Sequence, residues 1–386
     1  MVQSNIREEL ERAARPIETA TGLSNAFYIE DEVFKQEQKA VFFSQWCGVG
    51  FAKDAPETGD AFPITFLGMP MLLVRDRDGT LRVFQNTCRH RGMILVEEPA
   101  KIGGAIRCPY HSWCYGLDGS LKSTPHVGGP GNNKHESVDV NSLGLIEIRS
   151  HEYLGVVFVN IDGQADAFTV QHSELLERWG EFEHPVYHSG ADSGFKLEVN
   201  CNWKLAVENY CESYHLPWIH PGLNSYSRLE DHYNILSEAG FAGQGTLVYK
   251  PTLGEGNQAF ADFENLSDKW DSSAEYVALF PNVLLGVHRD HTFAIVLEPI
   301  SQEQTLEHVE IFYAEKAMTE FDYEGLRNNN ATLWKQVFQE DVFVVEGMQR
   351  GRHGVQFDGG KFSPVMDNST HCFHQWVAHK MMAAID

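Results

Sequence analysis

Two short segments of this chain each pair a cysteine with a histidine: Cys88 with His90, and Cys108 with His111. Two thiolates and two imidazoles suit a [2Fe-2S] centre in which cysteine holds one iron and histidine the other, which raises the reduction potential above that of an all-cysteine cluster. Tetrahedral zinc takes the same atoms. Zinc fingers, however, group the two cysteines and then the two histidines, whereas the order here is Cys, His, Cys, His. The order therefore predicts an electron-carrying iron-sulfur centre.

A second pair of histidines, His215 and His220, lies on either side of Pro217. On an unbroken helix their spacing would point them in different directions, because each residue turns by roughly 100°. Pro217 cannot donate to the helical hydrogen bonds, so we expect the helix to end near His215 and His220 to turn back toward the same point. Two imidazoles on one side favour a non-haem Fe(II), which commonly uses two histidines and one carboxylate and keeps its other positions open.

Periodicity in a later helix indicates where the third ligand lies. Four apolar residues form an inward stripe: Trp334, Phe338, Val345 and Met348. Asp341 falls on the same stripe, and a carboxylate on an apolar face needs a partner. A metal is one such partner, and an arginine or a backbone donor is another. Glu340 and Glu346 are displaced around the helix and are predicted to be solvated.

The distribution of strand and helix signals predicts an α+β protein with two domains. Residues 43–162 contain short strands and hairpin turns at Asp78-Gly79 and Asp118-Gly119, which predict an all-β domain whose loops carry the cluster ligands. Residues 1–42 and 163–386 form the second, mixed domain. Its predicted elements are helices near 172–182, 202–215, 323–348 and 372–383, a strand at 195–199, and an antiparallel meander from apolar runs at 276–287, 292–299 and 307–313.

The composition excludes several classes of partner. The 386 residues include 54 acidic and 30 basic side chains, and the net charge of −24 argues against nonspecific binding to nucleic acid or an anionic membrane. We find neither a signal peptide nor an apolar segment long enough to cross a bilayer, and seven cysteines, an odd number, fit a reducing compartment. A cytoplasmic protein is expected. The basic residues around the cluster motif, which can dock an acidic electron carrier or lie solvated, are Arg89, Arg91, Lys101 and Arg107.

Taken together, these motifs resemble the catalytic alpha subunit of the Rieske non-haem iron oxygenases. The resemblance rests on both metal motifs and on Asn202-Trp203-Lys204, which opens the helix before His215. It implies a Rieske domain inserted in a helix-grip (START-like) catalytic domain with an antiparallel sheet. It also implies a homotrimer in which the cluster of one subunit feeds the iron of its neighbour. The electrons would come from NAD(P)H through a separate reductase or ferredoxin, since the sequence lacks a Gly-x-Gly-x-x-Gly fingerprint.

The resemblance also assigns roles to two residues beside the iron ligands. Glu212 is implied to bridge His215 and His111 of the adjacent subunit, and Asn209 to be a polar residue near the iron, although helix capping or packing is an alternative for Asn209. Glutamate at the bridge, where ring-dihydroxylating members usually carry aspartate, looks more like the branch that oxidises carnitine, choline and betaine. A methylammonium substrate needs an aromatic cage. The residues that can contribute, unless they are core, are Tyr210, Trp218, Phe280, Phe293 and Trp376.

The resemblance implies a terminal oxygenase that uses O2 to hydroxylate a C-H bond of a small organic substrate. If that carbon adjoins nitrogen, N-demethylation or C-N cleavage follows. The alternatives are an aromatic ring-hydroxylating dioxygenase, a natural-product tailoring oxygenase, a Rieske electron-transfer protein without oxygenase activity, and a ligand sensor. The shape of the pocket is expected to depend on the meander and on loops near residues 226–265.

Overall fold

The computed structural model describes residues 2–251 and 258–385, so residues 252–257 of the predicted pocket loops lie outside the described residues. The chain forms two compact units. One consists of Met1–Cys47 and Gln164–Asp386, and the other is Gly48–Gly163. Within the described ranges, none of the helices combines the length and apolar character that crossing a bilayer requires.

The smaller unit is built mainly from strands, with one 3-10 turn at Ala52–Asp54. Its elements are β1 (Trp46–Phe51), β2 (Asp60–Phe66), β3 (Met69–Arg75), β4 (Leu81–Gln85), β5 (Ala100–Lys101), β6 (Ile106–Arg107), β7 (Cys114–Tyr115), β8 (Leu121–Ser123), β9 (Glu147–Tyr153) and β10 (Val156–Asn160). One antiparallel sheet has the order β1-β10-β9-β4-β3-β2-β5, and β6-β7-β8 form a second sheet. The predicted all-β character is confirmed.

Both predicted hairpin turns of this unit are confirmed, because Gly79 (φ 80°) and Gly119 (φ 77°) adopt the left-handed conformation between paired strands. A third turn of this unit joins β2 to β3. The turn is made by Leu67 and Gly68, both with positive φ, and β3 has already begun at Met69.

The larger unit surrounds one antiparallel sheet with helices. Its helices are α1 (Val2–Ala13), α2 (Ala26–Ile29), α3 (Asp31–Glu37), α4 (Phe168–Gln171), α5 (Ser173–Arg178), α6 (Trp203–Cys211), α7 (Leu216–Ile219), α8 (Pro221–Asn224), α9 (Glu324–Gly351) and α10 (Asn368–Ile385). Its strands are β11 (Gly194–Val199), β12 (His232–Ser237), β13 (Phe241–Thr246), β14 (Ala274–Leu279), β15 (Val283–Val287), β16 (His291–Ser301) and β17 (Gln304–Tyr313).

The sheet has the order β11-β17-β16-β15-β14-β13-β12. Helices α6 and α10 pack against β13, and α9 packs against β11. The predicted α+β character and the long helix from 323 to 348, which is α9, are confirmed. The helix expected at 172–182 is instead divided into α5 and a 3-10 turn at Gly180–Phe182, and the short helix α4 precedes it.

The predicted meander contains more strands than the sequence indicated. The apolar run 276–287 is not one strand but two, because Pro281 interrupts it between β14 and β15. Strands β12 and β13 were not predicted. Glycines obscure β13, and at Gly243 a β-carbon would lie 2.0 Å from the carbonyl oxygen of Tyr276 on the paired strand. Close approach of two backbones therefore requires a residue with low strand propensity at this position.

A buried ion pair anchors helix α6 to helix α3. The Lys204 ammonium group donates to both carboxylate oxygens of Glu37 at 2.6 and 2.8 Å, and both side chains are fully buried. Burial raises the pKa of Glu37 and lowers that of Lys204, so each charge depends on the other. The pair fixes the start of α6, and the last turn of this helix carries Asn209 and Tyr210.

Removing one member of this pair should destabilise the protein strongly. We expect Lys204→Met to cost about 3 to 5 kcal/mol, because it leaves a buried carboxylate without its counter-ion. The double variant Glu37→Leu/Lys204→Met should recover most of that loss. The exposed pair of Lys35 and Asp31 provides the control, since Lys35→Met should cost at most about 1 kcal/mol. Urea denaturation followed by circular dichroism measures the free energy of unfolding of all three variants. A Lys204→Met midpoint equal to that of the wild type would show that the buried pair does not stabilise the protein.

Candidate functional site

The two histidines of the second motif lie at opposite ends of a short helix. Helix α6 ends at Cys211, earlier than predicted, and Glu212 is extended (φ −124°, ψ 159°). His215 is the N-cap of α7 and His220 is its C-cap. The prediction that Pro217 ends the preceding helix is therefore wrong, because Pro217 lies in the first turn of α7, where it is tolerated. The expected result, two histidines turned toward one point, is nevertheless present.

Helix α9 brings the predicted carboxylate to these histidines. The Asp341 Oδ1 atom lies 3.0 Å from Nε2 of His220 and 3.7 Å from Nε2 of His215. One ligand atom from each of the three residues lies within 4.8 Å of the others. Two imidazoles and one carboxylate on one side of an ion match the donor set of non-haem Fe(II) sites, so the residues fit the metal that the sequence predicts.

Each imidazole is oriented by a second carboxylate on its outer nitrogen. His215 Nδ1 lies 2.6 Å from Oε1 of Glu212, and His220 Nδ1 lies 2.8 Å from Oε2 of Glu340. A carboxylate only accepts, so each Nδ1 carries the proton that it donates. With a metal ion bound, each Nε2 would supply its lone pair to the ion beside the carboxylate of Asp341. This arrangement is typical of metal-binding histidines, in which an outer partner fixes the tautomer.

The role of Glu340 corrects a prediction. Glu340 and Glu346 are predicted from the sequence to be solvated. In the structure, Glu340 is only partly exposed and holds His220, while Glu346 accepts hydrogen bonds from Asn200. Glu340 lies beside Asp341 on α9, and periodicity alone places it off the buried stripe. Only the tertiary structure shows that His220 lies beside Glu340 and contacts its carboxylate.

A pocket opens at the three candidate ligands. Asn209 lies in its wall, as the resemblance implied. Aromatic rings form much of the remainder: Tyr210, Tyr276, Phe293, Trp334 and Phe338. Such a wall is largely apolar.

The predicted aromatic cage is thus partly wrong. Tyr210 and Phe293 line the pocket, but the Trp218 side chain is 69% exposed. Phe280 and Trp376 pack against each other at 5.3 Å and do not line this pocket. A single strand or helix repeat cannot distinguish an aromatic residue of the core from one that faces a cavity.

A hydrogen-bond chain fixes one wall of the pocket. The indole N-H of Trp334 donates to Nε2 of His291 at 3.1 Å, and His291 Nδ1 lies 2.6 Å from Oδ1 of Asp290. Because an indole nitrogen only donates, His291 must accept at Nε2 and carry its proton on Nδ1. Trp334 lies seven residues before Asp341 on α9, so both face the same side of the helix.

Two further polar residues of the pocket were missed by the sequence analysis. His232 Nδ1 lies 2.7 Å from Oε1 of Gln244, and Gln244 Nε2 donates to the backbone carbonyl of Glu212 at 3.1 Å. Burial lowers the pKa of His232. These residues lie on the unpredicted strands β12 and β13, and neither belongs to a recognisable motif.

The two loops of the first motif share one backbone conformation. The N-H of Gly92 donates to the carbonyl of Cys88 at 2.9 Å, and Cys88 N-H donates to Met93 at 2.7 Å. The second loop repeats the first contact, since Ser112 N-H donates to the carbonyl of Cys108 at 3.0 Å. Gly92 and Ser112 both have positive φ, 73° and 57°. The left-handed residue turns each loop sharply after its cysteine.

These loops bury the sulfurs and leave the imidazoles closer to the surface. Cys88 and Cys108 are 3% and 1% exposed. His90 is exposed and stacks on Trp113 with ring centroids 4.8 Å apart, and His111 is partly buried. The imidazole side of the motif is therefore the side that solvent can reach.

The four residues fit a [2Fe-2S] cluster. The His90 and His111 rings lie 4.7 Å apart, and His111 Nδ1 is buried without a hydrogen-bond partner among the described residues. A buried polar atom without a partner is rare, and a metal bond would satisfy it. The Tyr115 hydroxyl lies 3.2 Å from Sγ of Cys88. Burial raises the pKa of the Cys88 thiol, and neighbouring Cys108 adds to the effect, so a metal must stabilise the thiolates.

The basic rim around the motif is smaller than the sequence indicated. Arg89 donates to a backbone carbonyl at 2.7 Å, and Lys101 pairs with Glu57 at 2.9 Å. Arg91 and Arg107 are exposed. Two of the four predicted cations are therefore already engaged within the unit.

Two family models match the chain. A model of the ring hydroxylating alpha subunit (catalytic domain) matches residues 176–383, more than half of the chain, and a model of the Rieske [2Fe-2S] domain matches residues 45–142. The chain belongs to the ring-hydroxylating alpha-subunit family. The family resemblance inferred from the motifs is confirmed, and this alpha subunit is an oxidoreductase.

Individual relatives of this alpha subunit include named monooxygenases. It is 29% identical to the oxygenase subunit of carnitine monooxygenase from Acinetobacter pittii, over 84% of this chain and 83% of the relative. It is 25% identical to choline monooxygenase from Beta vulgaris, over 94% of this chain and 77% of that relative. The chain also matches the solved structure of a quaternary ammonium Rieske monooxygenase, with a TM-score of 0.77 and 24% identity over 96% of this chain and 98% of that one. That structure is described in connection with carnitine oxidation and inter-subunit electron transfer. That likeness confirms the predicted fold class, a Rieske domain plus a catalytic domain with an antiparallel sheet.

The carboxylate on the outer nitrogen of His220 should control metal affinity. We expect Glu340→Gln to weaken iron binding at the three candidate ligands by about 10- to 100-fold, because the imidazole loses the partner that orients it and raises its basicity. Glu346→Gln on the same helix is the matched control and should leave the affinity unchanged. Chelator competition, with iron counted against acid-labile sulfide, separates this iron from the cluster. Equal affinities in the two variants would show that Glu340 has no role.

Proposed function

We propose that this alpha subunit is the terminal oxygenase component of a monooxygenase that hydroxylates a C-H bond of a small quaternary ammonium compound. The observation that carries the proposal is the set His215, His220 and Asp341 at a pocket walled by aromatic rings. The names of the carnitine and choline monooxygenases among the relatives support the substrate class.

The residues proposed to hold the cofactors are Cys88, His90, Cys108 and His111 for the [2Fe-2S] cluster, and His215, His220 and Asp341 for the mononuclear Fe(II). When bound, the cluster supplies single electrons and the Fe(II) offers open coordination positions for the activation of O2. The protein's part is to orient both imidazoles through Glu212 and Glu340 and to exclude bulk water with the apolar pocket wall.

The pocket wall suits a cation without a formal counter-ion. Tyr276, Phe293 and Trp334 line the pocket, and ring centroids of Phe293 and Trp334 lie 4.6 Å apart. A quaternary ammonium group over such rings gains about 0.5 to 2 kcal/mol per favourable contact, more where water is excluded. Asn209 offers a polar group in the same wall and can orient a second part of the substrate.

The overall reaction is balanced with two electrons and two protons. A C-H bond next to nitrogen becomes C-OH, and the second oxygen atom of O2 leaves as water. When the C-N bond then breaks, its electron pair and the hydroxyl proton go to nitrogen, which gives a protonated amine and an aldehyde. The electrons come from NAD(P)H through a separate reductase or ferredoxin, which this chain must bind.

We further propose that Glu212 links the two cofactors across a homotrimer. Its Oε1 atom lies 2.6 Å from His215 Nδ1, and its Oε2 atom accepts backbone N-H groups of Tyr214 and His215. A carboxylate has room for further acceptance, so it can also receive a hydrogen bond from His111 of an adjacent subunit. The inter-subunit electron transfer described for the solved relative supports this arrangement.

Aromatic ring hydroxylation is the second candidate, because the same apolar wall accepts a flat hydrocarbon and the family takes its name from that chemistry. Substrate turnover distinguishes the two. With a reductase and O2, we expect trimethylammonium substrates to yield aldehyde and amine, and aromatic hydrocarbons to yield no diol. Asp341→Ala should abolish turnover and retain two iron atoms and two sulfides per chain, whereas Glu346→Ala should behave as wild type. Full mononuclear iron and activity in Asp341→Ala would refute the ligand assignment.

Changing Glu212 should slow electron delivery without emptying either site. We expect Glu212→Gln to bind both cofactors and to lose about 10- to 100-fold in turnover, because the amide cannot hold two imidazoles as the carboxylate does. Stopped-flow reoxidation of the reduced cluster, with substrate and O2 present, measures the step directly. Light scattering checks the trimer. Reoxidation at the wild-type rate would exclude Glu212 from the path.

A further inference from the structure

A chain of polar side chains follows one wall of the pocket and ends at the backbone of Glu212. Its members, Ser227, His232 and Gln244, all line the pocket. Ser227 Oγ lies 3.0 Å from Nε2 of His232, and Nδ1 of His232 lies 2.7 Å from Oε1 of Gln244. Gln244 Nε2 donates to the backbone carbonyl of Glu212 at 3.1 Å. The sheet of the larger unit is therefore hydrogen-bonded to the residue that orients His215.

The pairing of β12 with β13 brings two of these side chains together. His232 is the first residue of β12 and lies opposite Thr246 of β13. Gln244 lies two residues before Thr246, so it projects from the same face of β13 and is a diagonal neighbour of His232. Ser227 follows helix α8 and is buried, and its Oγ atom also lies 3.0 Å from Oγ1 of Thr246. The contacts thus follow from strand register.

The hydrogen bonds of the chain all run in one direction. A backbone carbonyl only accepts, so Gln244 turns its NH2 group to Glu212 and its Oε1 atom to His232. That oxygen also only accepts, which places a proton on Nδ1 of His232. Burial lowers the pKa of His232, and the neutral ring accepts at Nε2 from the Ser227 hydroxyl. Without the Nδ1 donor, the Gln244 amide would be free to turn over and place its oxygen against the Glu212 carbonyl.

Glu212 is a single extended residue (φ −124°, ψ 159°) at the end of helix α6. Its carboxylate is held from the side of α7, because Oε2 accepts from the backbone N-H groups of Tyr214 and His215 and Oε1 lies 2.6 Å from Nδ1 of His215. Its backbone carbonyl lies past the end of α6, where the helix itself supplies no donor. Gln244 supplies that donor and so fixes Glu212 from the side of the sheet.

We propose that His232 and Gln244 are positioning residues, which hold the backbone of Glu212 and thereby keep its carboxylate on His215. Gln244 acts through Glu212, and His232 acts by fixing the orientation of the Gln244 amide. The inference deepens the proposed function, and it rests on that function only where Glu212 is taken to deliver electrons. The effect on iron binding depends on the geometry of the site alone.

The experiment measures iron affinity at the three candidate ligands by chelator competition, in the cluster-containing protein without substrate. Gln244→Met removes the donor to Glu212 with little change in side-chain length. His232→Leu removes the Nδ1 donor, whereas His232→Asn keeps an N-H group at nearly the same place. The control is Tyr233→Phe on the same strand, which loses a 2.7 Å hydrogen bond to Glu275 and does not line the pocket. Circular dichroism and acid-labile sulfide check that each variant is folded and keeps its cluster.

We expect Gln244→Met and His232→Leu each to weaken iron binding about tenfold, the lower end of the range for loss of an outer partner of a metal-bound histidine. His232→Asn should restore most of the affinity, and Tyr233→Phe should leave it unchanged. Gln244→Met should have little further effect in a Glu212→Ala background, because a residue that acts through the Glu212 carboxylate then has nothing to position. A general loss of stability would not show this dependence on Glu212.

Two results would overturn the positioning role. One is wild-type iron affinity in both Gln244→Met and His232→Leu, which test the same contact at different residues, so that misfolding of one leaves the other. The other is an equal loss from Gln244→Met in the wild-type and Glu212→Ala backgrounds.

Failure of the proposed function is a separate result. Weaker iron binding in Gln244→Met, together with cluster reoxidation at the wild-type rate in Glu212→Gln, would support the positioning role and remove Glu212 from the electron path.

Discussion

The candidate metal site depends on one constraint, which is that a carboxylate at the outer nitrogen orients each of the two imidazoles. Glu212 and Glu340 accept from the outer nitrogens of His215 and His220, so the inner nitrogens are available to a metal ion beside Asp341. Without those carboxylates, either ring could flip or change tautomer, and the donor set would disperse. The short helix α7 contributes by fixing the two histidines at its ends, where a regular helix would have separated them.

The shape of the pocket beside this site depends on a chain of hydrogen bonds that ends at one of its wall residues, Trp334. Asp290 holds His291, and His291 holds the indole of Trp334. The chain of contacts links strand β16 to helix α9, so the wall of the pocket and the carboxylate of Asp341 are set by the same helix. Rotating the Trp334 ring would cost this buried hydrogen bond, which helps to define the shape of the pocket.

The ligands of the cluster motif are positioned by the backbone of their loops rather than by partner side chains. Each loop turns through a left-handed residue four positions after its cysteine, once with glycine and once with serine. At Gly92 the conformation costs little, but at Ser112 it is maintained by the hydrogen bond to Cys108 and by the packing of Trp113. Burying the thiols while leaving the imidazoles near the surface gives the ligand set its two different environments.

The sequence alone determined which chemistry is possible. The types and order of Cys88, His90, Cys108 and His111, and the periodicity that placed Asp341 on an inward face, are local properties of the chain, and they predicted both metal sites and the division into all-β and α+β units. The glutamate beside Asp341 could not be assigned in this way, because a residue just off a buried stripe is indistinguishable from a solvated one until its neighbour is known.

Tertiary structure decided everything that depends on two distant segments meeting. It brought Glu340 to His220, separated the true pocket rings Tyr276 and Trp334 from core rings such as Phe280, and paired the glycine-rich strand β13 into the sheet where Gly243 approaches Tyr276. Propensity and periodicity describe one element at a time. The contents of a cavity, by contrast, are set by the faces that several elements turn toward the same space.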